Sequence, residues 1–163
     1  MKSLTRMISL LMICLICLSA CGVDQWVTYT SANRSVSFSY YSKSDKTSAF
    51  EAEELYGVYR SGLFAVSIAL QGGSRDLDKM AESLARFYTT DDVTVSTEYT
   101  EAVIAGNLCR KLLLSGEDIA EGAIFFFRNE STDVFYTVYY SISKNAPAEV
   151  VAHVHKILES IEF

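Results

Sequence analysis

Two stretches decide the fold: Ala123-Ile124-Phe125-Phe126-Phe127-Arg128, and Val134-Phe135-Tyr136-Thr137-Val138-Tyr139-Tyr140-Ser141-Ile142. Both are rich in β-branched and aromatic residues and too short for typical helices, so they read as strands. Both are apolar on the two alternating faces, so the sheet that holds them needs cover on both sides. That cover has to come from helices, or from a hairpin, on opposite faces of one sheet.

Working outward, Trp26 to Thr30 and Val36 to Tyr41 alternate and flank Ser31-Ala32-Asn33-Arg34, which predicts a hairpin. Phe50 to Arg60 and Leu63 to Gln71 read as two longer strands joined at Ser61-Gly62. In the second, Phe64, Val66, Ile68 and Leu70 face one way. Ala65, Ser67 and Ala69 face the other, giving a small-residue face suited to close helix packing. A helix is predicted over Asp76 to Tyr88, after the break at Gly72-Gly73. Ser74 or Asp76 is its cap, and Leu77, Met80, Ala81, Leu84, Phe87 and Tyr88 form its apolar stripe. Val93 to Val103 and Leu108 to Leu114 read as strands about the turn Ala105-Gly106-Asn107, and Ser115 to Asp118 as a further turn. A last helix is predicted from Pro147 to Ile161, with Asn145 as cap and Val150, Val151, Val154, Ile157, Leu158 and Ile161 as its stripe. The fold class expected is α+β, a central antiparallel sheet flanked by helices on both faces.

The N-terminal residues carry a different message. Lys2 and Arg6 precede an apolar run from Ile8 to Leu18, too short to cross a bilayer, which takes about 20 residues. Ser19 and Ala20 then precede Cys21-Gly22. The pattern resembles the signal of bacterial lipoproteins. In those, a thioether lipid is placed on the cysteine and cleavage falls just before it. The resemblance implies a signal peptide over 1–20, a diacylglyceryl group with a possible palmitate-type third chain on Cys21, a short tether over 21–25, and one domain over 26–163. It also implies a place in the cell envelope, anchored on the extracytoplasmic side of a membrane. Two or three acyl chains hold stably where one holds marginally. The tether from Cys21 to the first strand reaches about 15 Å when fully extended.

The chain has 163 residues and a net charge of −6; without residues 1–20 it keeps 20 acidic against 12 basic residues. Such a domain is repelled by nucleic acid, and no nucleic-acid partner is expected. Cys14 and Cys17 lie in the signal and Cys21 is capped, so Cys109 is the remaining thiol and no disulfide is expected. In a predicted strand, Cys109 reads as a buried, inert thiol.

Catalytic and metal patterns are absent from the sequence. His153 and His155, the two histidines, lie about 200° apart on a helix and do not share a metal. No Gly-x-Ser-x-Gly elbow or phosphate-cradling loop is present. The carboxylates at Glu51, Glu53 and Glu54, at Asp91 and Asp92, and at Glu117, Asp118 and Glu121 read as solvated edges and turns, with a weak calcium site as the alternative. No cofactor and no enzyme activity are expected. Among ten tyrosines, Tyr139, Tyr140, Tyr56 and Tyr59 are candidates to line a groove, and Trp26 lies near the anchor, under the sheet or against the headgroups.

The closing stretch, Tyr136 to Ser141 followed by Val150 to Phe163 with its ending Ile157-Leu158-Glu159-Ser160-Ile161-Glu162-Phe163, resembles the end of PsbP-like domains, including the DcrB-like bacterial lipoproteins. Val36-Ser37-Phe38-Ser39-Tyr40-Tyr41 stands where that family has an early strand, although Tyr41 and Ser42 replace an expected proline. The resemblance implies an α/β/α sandwich and a non-catalytic binding or assembly role. The family includes an extrinsic photosystem II subunit and a nuclear-import factor that binds a small GTPase. The expected partners are therefore the membrane, through Cys21, and an envelope protein. The alternative is a small-molecule carrier or a hydrolase using a Tyr-rich cleft.

Overall fold

A computed structural model describes residues 25–32, 35–42, 48–52, 55–71, 76–129 and 133–163. Cys21 and the signal lie outside the described residues, as do Asn33, Arg34, Glu53, Glu54, Gly72, Gly73 and Ser74. The elements are β1 (Gln25–Thr30), β2 (Ser37–Ser42), β3 (Ser48–Ala52), β4 (Leu55–Arg60), β5 (Phe64–Gln71), α1 (Leu77–Tyr88), β6 (Val93–Val95), β7 (Thr100–Ile104), β8 (Asn107–Gly116), β9 (Ile119–Asn129), β10 (Val134–Ser143) and α2 (Ala148–Glu159). No helix among the described residues is long and apolar enough to cross a membrane.

The main sheet runs β3-β4-β5-β10-β9-β8-β6, with β7 also paired to β8, and every pairing is antiparallel. β10 and β9, the two doubly apolar strands, sit at its centre. Two expected long strands are each broken. Phe50 to Arg60 folds back between Ala52 and Leu55, so that Ala52 pairs with Leu55. Val93 to Val103 becomes β6 and β7, end to end on one edge of β8. Ser96 makes the second break: its hydroxyl donates to the Glu98 carbonyl and accepts from the Leu113 amide, so the chain bends where alternation alone would continue it.

Residues alternate between the two faces. On one face Tyr56, Val58, Val66, Ile68, Val138 and Tyr140 are buried under α2 and the separate hairpin β1–β2. Phe38 and Val36 enter this core from the hairpin, and Val150, Val154, Ile157 and Ile161 enter it from α2 and the segment after it. The Ser39 amide donates to the Ser160 hydroxyl, and Ser37 and Glu162 exchange backbone hydrogen bonds, which ties β2 to the C-terminal segment. On the other face Leu112, Leu114, Ile124, Phe126 and Phe135 are covered by Met80, Ala81, Leu84 and Ala85 of α1. Cys109 is buried in β8 at 3% exposure.

Asp76 caps α1, its carboxylate accepting from the amides of Asp78 and Lys79. The expected cap of α2 is corrected: Pro147 is the N-cap, without a side-chain cap bond, and the Asn145 amide instead donates to the Ser143 hydroxyl. Phe87, expected on the apolar stripe of α1, is a correction: it is 77% exposed and lies outside the buried face. The β7–β8 turn forms as expected, with Ala105 at φ 49° and Gly106 at φ 76°, the paired positive values of a two-residue hairpin turn.

Candidate functional site

The small-residue face of β5 has a different fate from the one its sequence suggests. No helix packs on Ala65 and Ser67 among the described residues. The reason is where α1 lands. Its N-terminal turn is held by the Asp78 carboxylate, which accepts from Arg110 at 2.5 Å and from the Tyr99 hydroxyl at 2.7 Å. Its last turn is held where Tyr88 stacks on Tyr139, with centroids 5.1 Å apart. Both ends fix α1 over β8, β9 and β10, and the β3-β4-β5 side is left open.

The open side forms a cleft of about 780 Å³. Ala65, Ser67 and Ser141 make its floor, and Phe50, Leu55, Tyr59 and Tyr139 its walls. Tyr59 is 44% exposed and Leu55 36%. The Phe50 ring lies against Gly57, where a Cβ would stand 2.8 Å from its Cζ and 2.4 Å from the Val66 carbonyl oxygen. Gly57 therefore allows an aromatic ring to lie flat on β4. Phe50 and Tyr59 rings are 6.1 Å apart. One end of the cleft is closed by turns stapled through their backbones: the Ser143 amide donates to Leu63 and the Lys144 amide to Asp118. Arg60 and Asp118 are the charged residues of the described lining. Burial, then the Tyr139 phenol beside it, raises the Tyr88 phenol above its ordinary value.

A second recess of about 610 Å³ lies by the start of α1, around Asn107, Arg110, Arg128 and Asn129. It is the more polar one, but its two arginines are engaged. Arg110 pairs with Asp78 and covers the Tyr99 ring at 4.1 Å, and Arg128 pairs with Asp133. Hydrogen bonds from Tyr99, then Arg110, hold the Asp78 carboxyl below its ordinary range. This network binds the domain's own parts together and leaves no spare cation for an anionic ligand.

Two of the four groove tyrosines expected from the sequence, Tyr59 and Tyr139, line the cleft. Tyr56 and Tyr140 are buried on the opposite face. There the Tyr140 hydroxyl donates to Glu121 at 2.7 Å, and His155 Nε2 meets the same carboxylate at 3.1 Å. Burial, then the Glu121 contact, pushes the Tyr140 phenol above its ordinary value. His153 stacks on Tyr41 instead, with centroids 4.4 Å apart. Among the described residues no group of three or more His, Cys, Asp or Glu is arranged to hold a metal ion. Burial pushes the Cys109 thiol up to about 11. Phe50, Leu55 and Arg60 line the cleft without a sequence signal of their own; Ala65 and Ser67, expected to receive a helix, form part of its floor instead.

The sequence matches no protein-family model and no curated protein. Solved structures do match. The solution structure of cyanobacterial PsbP from Synechocystis sp. PCC 6803 aligns with a TM-score of 0.58 at 10% identity, over 88% of this chain and 95% of that one. The fold is PsbP-like. The Ran-binding protein Mog1p of Saccharomyces cerevisiae aligns with a TM-score of 0.52 at 10% identity, over 86% of this chain and 96% of its own. The PsbP-like fold is thus an antiparallel α+β sandwich carried by very different sequences, and the likeness is one of fold alone.

Proposed function

We propose that this chain is a lipid-anchored envelope protein that serves as a non-catalytic binding or assembly module, and that the open half-sheet is its binding surface. The observation that carries this is the cleft: an aromatic and small-residue surface of about 780 Å³ whose charges stand at Arg60 and Asp118. Such a surface suits an apolar segment of a partner protein, with exposed Tyr59 and Leu55 as anchors, since a few central apolar and aromatic residues concentrate binding energy. Among the described residues β3 is the edge strand beside it, and an added strand is able to pair with such an edge. Mog1p, with the same fold, is by name a Ran-binding protein, and a binding role for this chain fits that precedent. The lipid anchor rests on the lipobox pattern around Cys21 and raises the effective concentration of a partner in the same envelope, so modest contacts suffice.

A photo-crosslinking residue at position 55 or 59 in intact cells is expected to capture one defined envelope protein, while the same residue at position 28, on the hairpin, captures none. Capture of the same abundant proteins from all three positions would overturn the proposal. Cys21→Ala is expected to move the protein from membrane to soluble fractions. The cleft volume also falls in the range of small-molecule sites, which supports a carrier role as the second reading. A saturable rise in melting temperature with one ligand class, together with no crosslinked partner, would favour that carrier.

A further inference from the structure

The lipid anchor proposed above, if present, constrains which surface meets the bilayer. Cys21 lies four residues before Gln25, where β1 begins, so the acyl chains stay within about 15 Å of that point. Around it the surface has a distinct composition. Trp26 pairs across the hairpin with Tyr41. Their rings are 5.9 Å apart, and His153 of α2 meets Trp26 at 5.5 Å and Tyr41 at 4.4 Å. Lys156 Nζ stands 4.1 Å above the Trp26 ring. In the alternation of β1 and β2, Trp26 and Tyr41 share a side with Thr28 and Ser39, opposite to Tyr29 and Phe38, which turn toward the core. Trp26 is half-buried and packs in part against the core, Tyr41 and His153 are half-buried beside it and Lys156 is exposed, so the cluster lies at the seam between the hairpin and α2 with its outer edge in solvent.

We infer that Trp26, Tyr41, His153 and Lys156 form the seat on which the anchored domain rests in the headgroup layer. Tryptophan and tyrosine suit that layer because an apolar ring carries one polar atom, and a lysine there reaches its ammonium toward phosphate while its stem lies along the apolar surface. Lys156 shares α2 with Glu149 and Glu159, so the seat has no strong net charge and does not need anionic lipid. The cleft opens on the opposite face of the sheet. A layer spacing of about 10 Å on each side of the sheet puts its mouth roughly 20 Å from the seat, beyond the tether's reach. The domain then presents its hairpin and α2 to the lipid and its cleft to the aqueous compartment, where a partner approaches.

Trp26 is the single tryptophan of the chain, so its emission reports on the seat alone. The test uses the full lipidated chain in phosphatidylcholine vesicles, plain or brominated high on the acyl chains. Flotation scores attachment and fluorescence scores contact. The expected result is flotation with both vesicles and loss of roughly half the Trp26 emission in the brominated ones, as for an aromatic ring at headgroup level. A double variant, Trp26→Phe with Phe87→Trp, moves the reporter to the exposed tip of α1 and is expected to float without quenching. A chain that floats while Trp26 emission is equal in the two vesicles refutes the seat and leaves the anchor standing. Equal quenching at positions 26 and 87 refutes the orientation. A chain that does not float removes the anchor and the seat together.

Discussion

Truncating Phe38 distinguishes a hairpin that belongs to the core from one that merely leans on it. Phe38 is 1% exposed, stacks on Tyr29 at 5.0 Å and lies 6.3 Å from Tyr40, all within the core shared with α2 and the sheet. Phe38→Ala removes a buried ring and leaves a cavity, at a cost of about 3–5 kcal/mol. That is a large share of a typical domain stability of about 5–15 kcal/mol. With a urea slope of about 2 kcal/mol/M, the unfolding midpoint falls by roughly 1.5–2.5 M. Phe87→Ala removes the same atoms from a side chain that is 77% exposed, and shifts stability by less than about 0.5 kcal/mol. The assay is a urea titration read in two ways: Trp26 emission, which follows hairpin docking on α2, and far-ultraviolet circular dichroism, which follows the sheet. Coincident transitions in both variants are expected. A Trp26 transition that comes early while the sheet signal keeps its midpoint would refute the claim of one shared core. Equal costs at positions 38 and 87 would refute the assignment of inside and outside.

Other perturbations test separate parts. Gly57→Ala forces a Cβ to within 2.4 Å of the Val66 carbonyl and displaces the Phe50 ring; thermal unfolding is expected to show a loss of about 1–3 kcal/mol. Tyr140→Phe removes the hydroxyl that donates to Glu121 and is expected to cost about 1 kcal/mol at neutral pH, the carboxylate being partly rehydrated. Burial works to raise the Glu121 carboxyl, but the Tyr140 and His155 hydrogen bonds outweigh it and the group is held low. A depressed folded value means the stabilisation is complete above the unfolded value of about 4.3 and fades as pH falls through the folded one, so the difference between wild type and Tyr140→Phe should vanish in acid denaturation profiles. Cys109, at 3% exposure and with its thiol pushed up to about 11, should resist alkylation at neutral pH and react fully in urea, as read by peptide mass spectrometry.

Much of this architecture is legible in the sequence where the determinant is local. Asp76 announces its helix because a side-chain acceptor has to meet the first amides, and the α2 stripe announces its buried face through spacing alone. Phe125-Phe126-Phe127 and Tyr136 to Tyr140 require cover on both sides whatever their partners. What escapes is set by distant pairing. Nothing in Phe50 to Arg60 marks a reversal, because Glu53-Glu54 lacks the Gly or Asn that usually signals a two-residue turn. Val93 to Val103 alternates equally well as one strand or two, and the break depends on Ser96 finding Leu113 across the sheet. Tyr56 and Tyr140 differ from Tyr59 and Tyr139 by which face of the sheet they occupy. The registers Gly57 with Ser67 and Tyr139 with Ser67 put Tyr59 and Tyr139 on the open side.

The open cleft follows from a mismatch of widths. The main sheet path has seven strands, spanning roughly 30 Å at about 4.8 Å per strand. A helix is about 10 Å across. One face meets the width with two elements, α2 and the β1–β2 hairpin; among the described residues the other has α1 alone, which leaves two or three strands without a described cover. Bare sheet that only meets water usually carries long charged or polar side chains outward. Here the outward positions are Leu55, Gly57 and Tyr59 on β4, Ala65 and Ser67 on β5, and Tyr139 and Ser141 on β10, with charge at the rim in Arg60 and Asp118. Small floor residues give depth, and the upright aromatic and leucine walls give apolar contact area that water leaves unsatisfied. A surface built that way is better explained by something that covers it than by exposure to solvent.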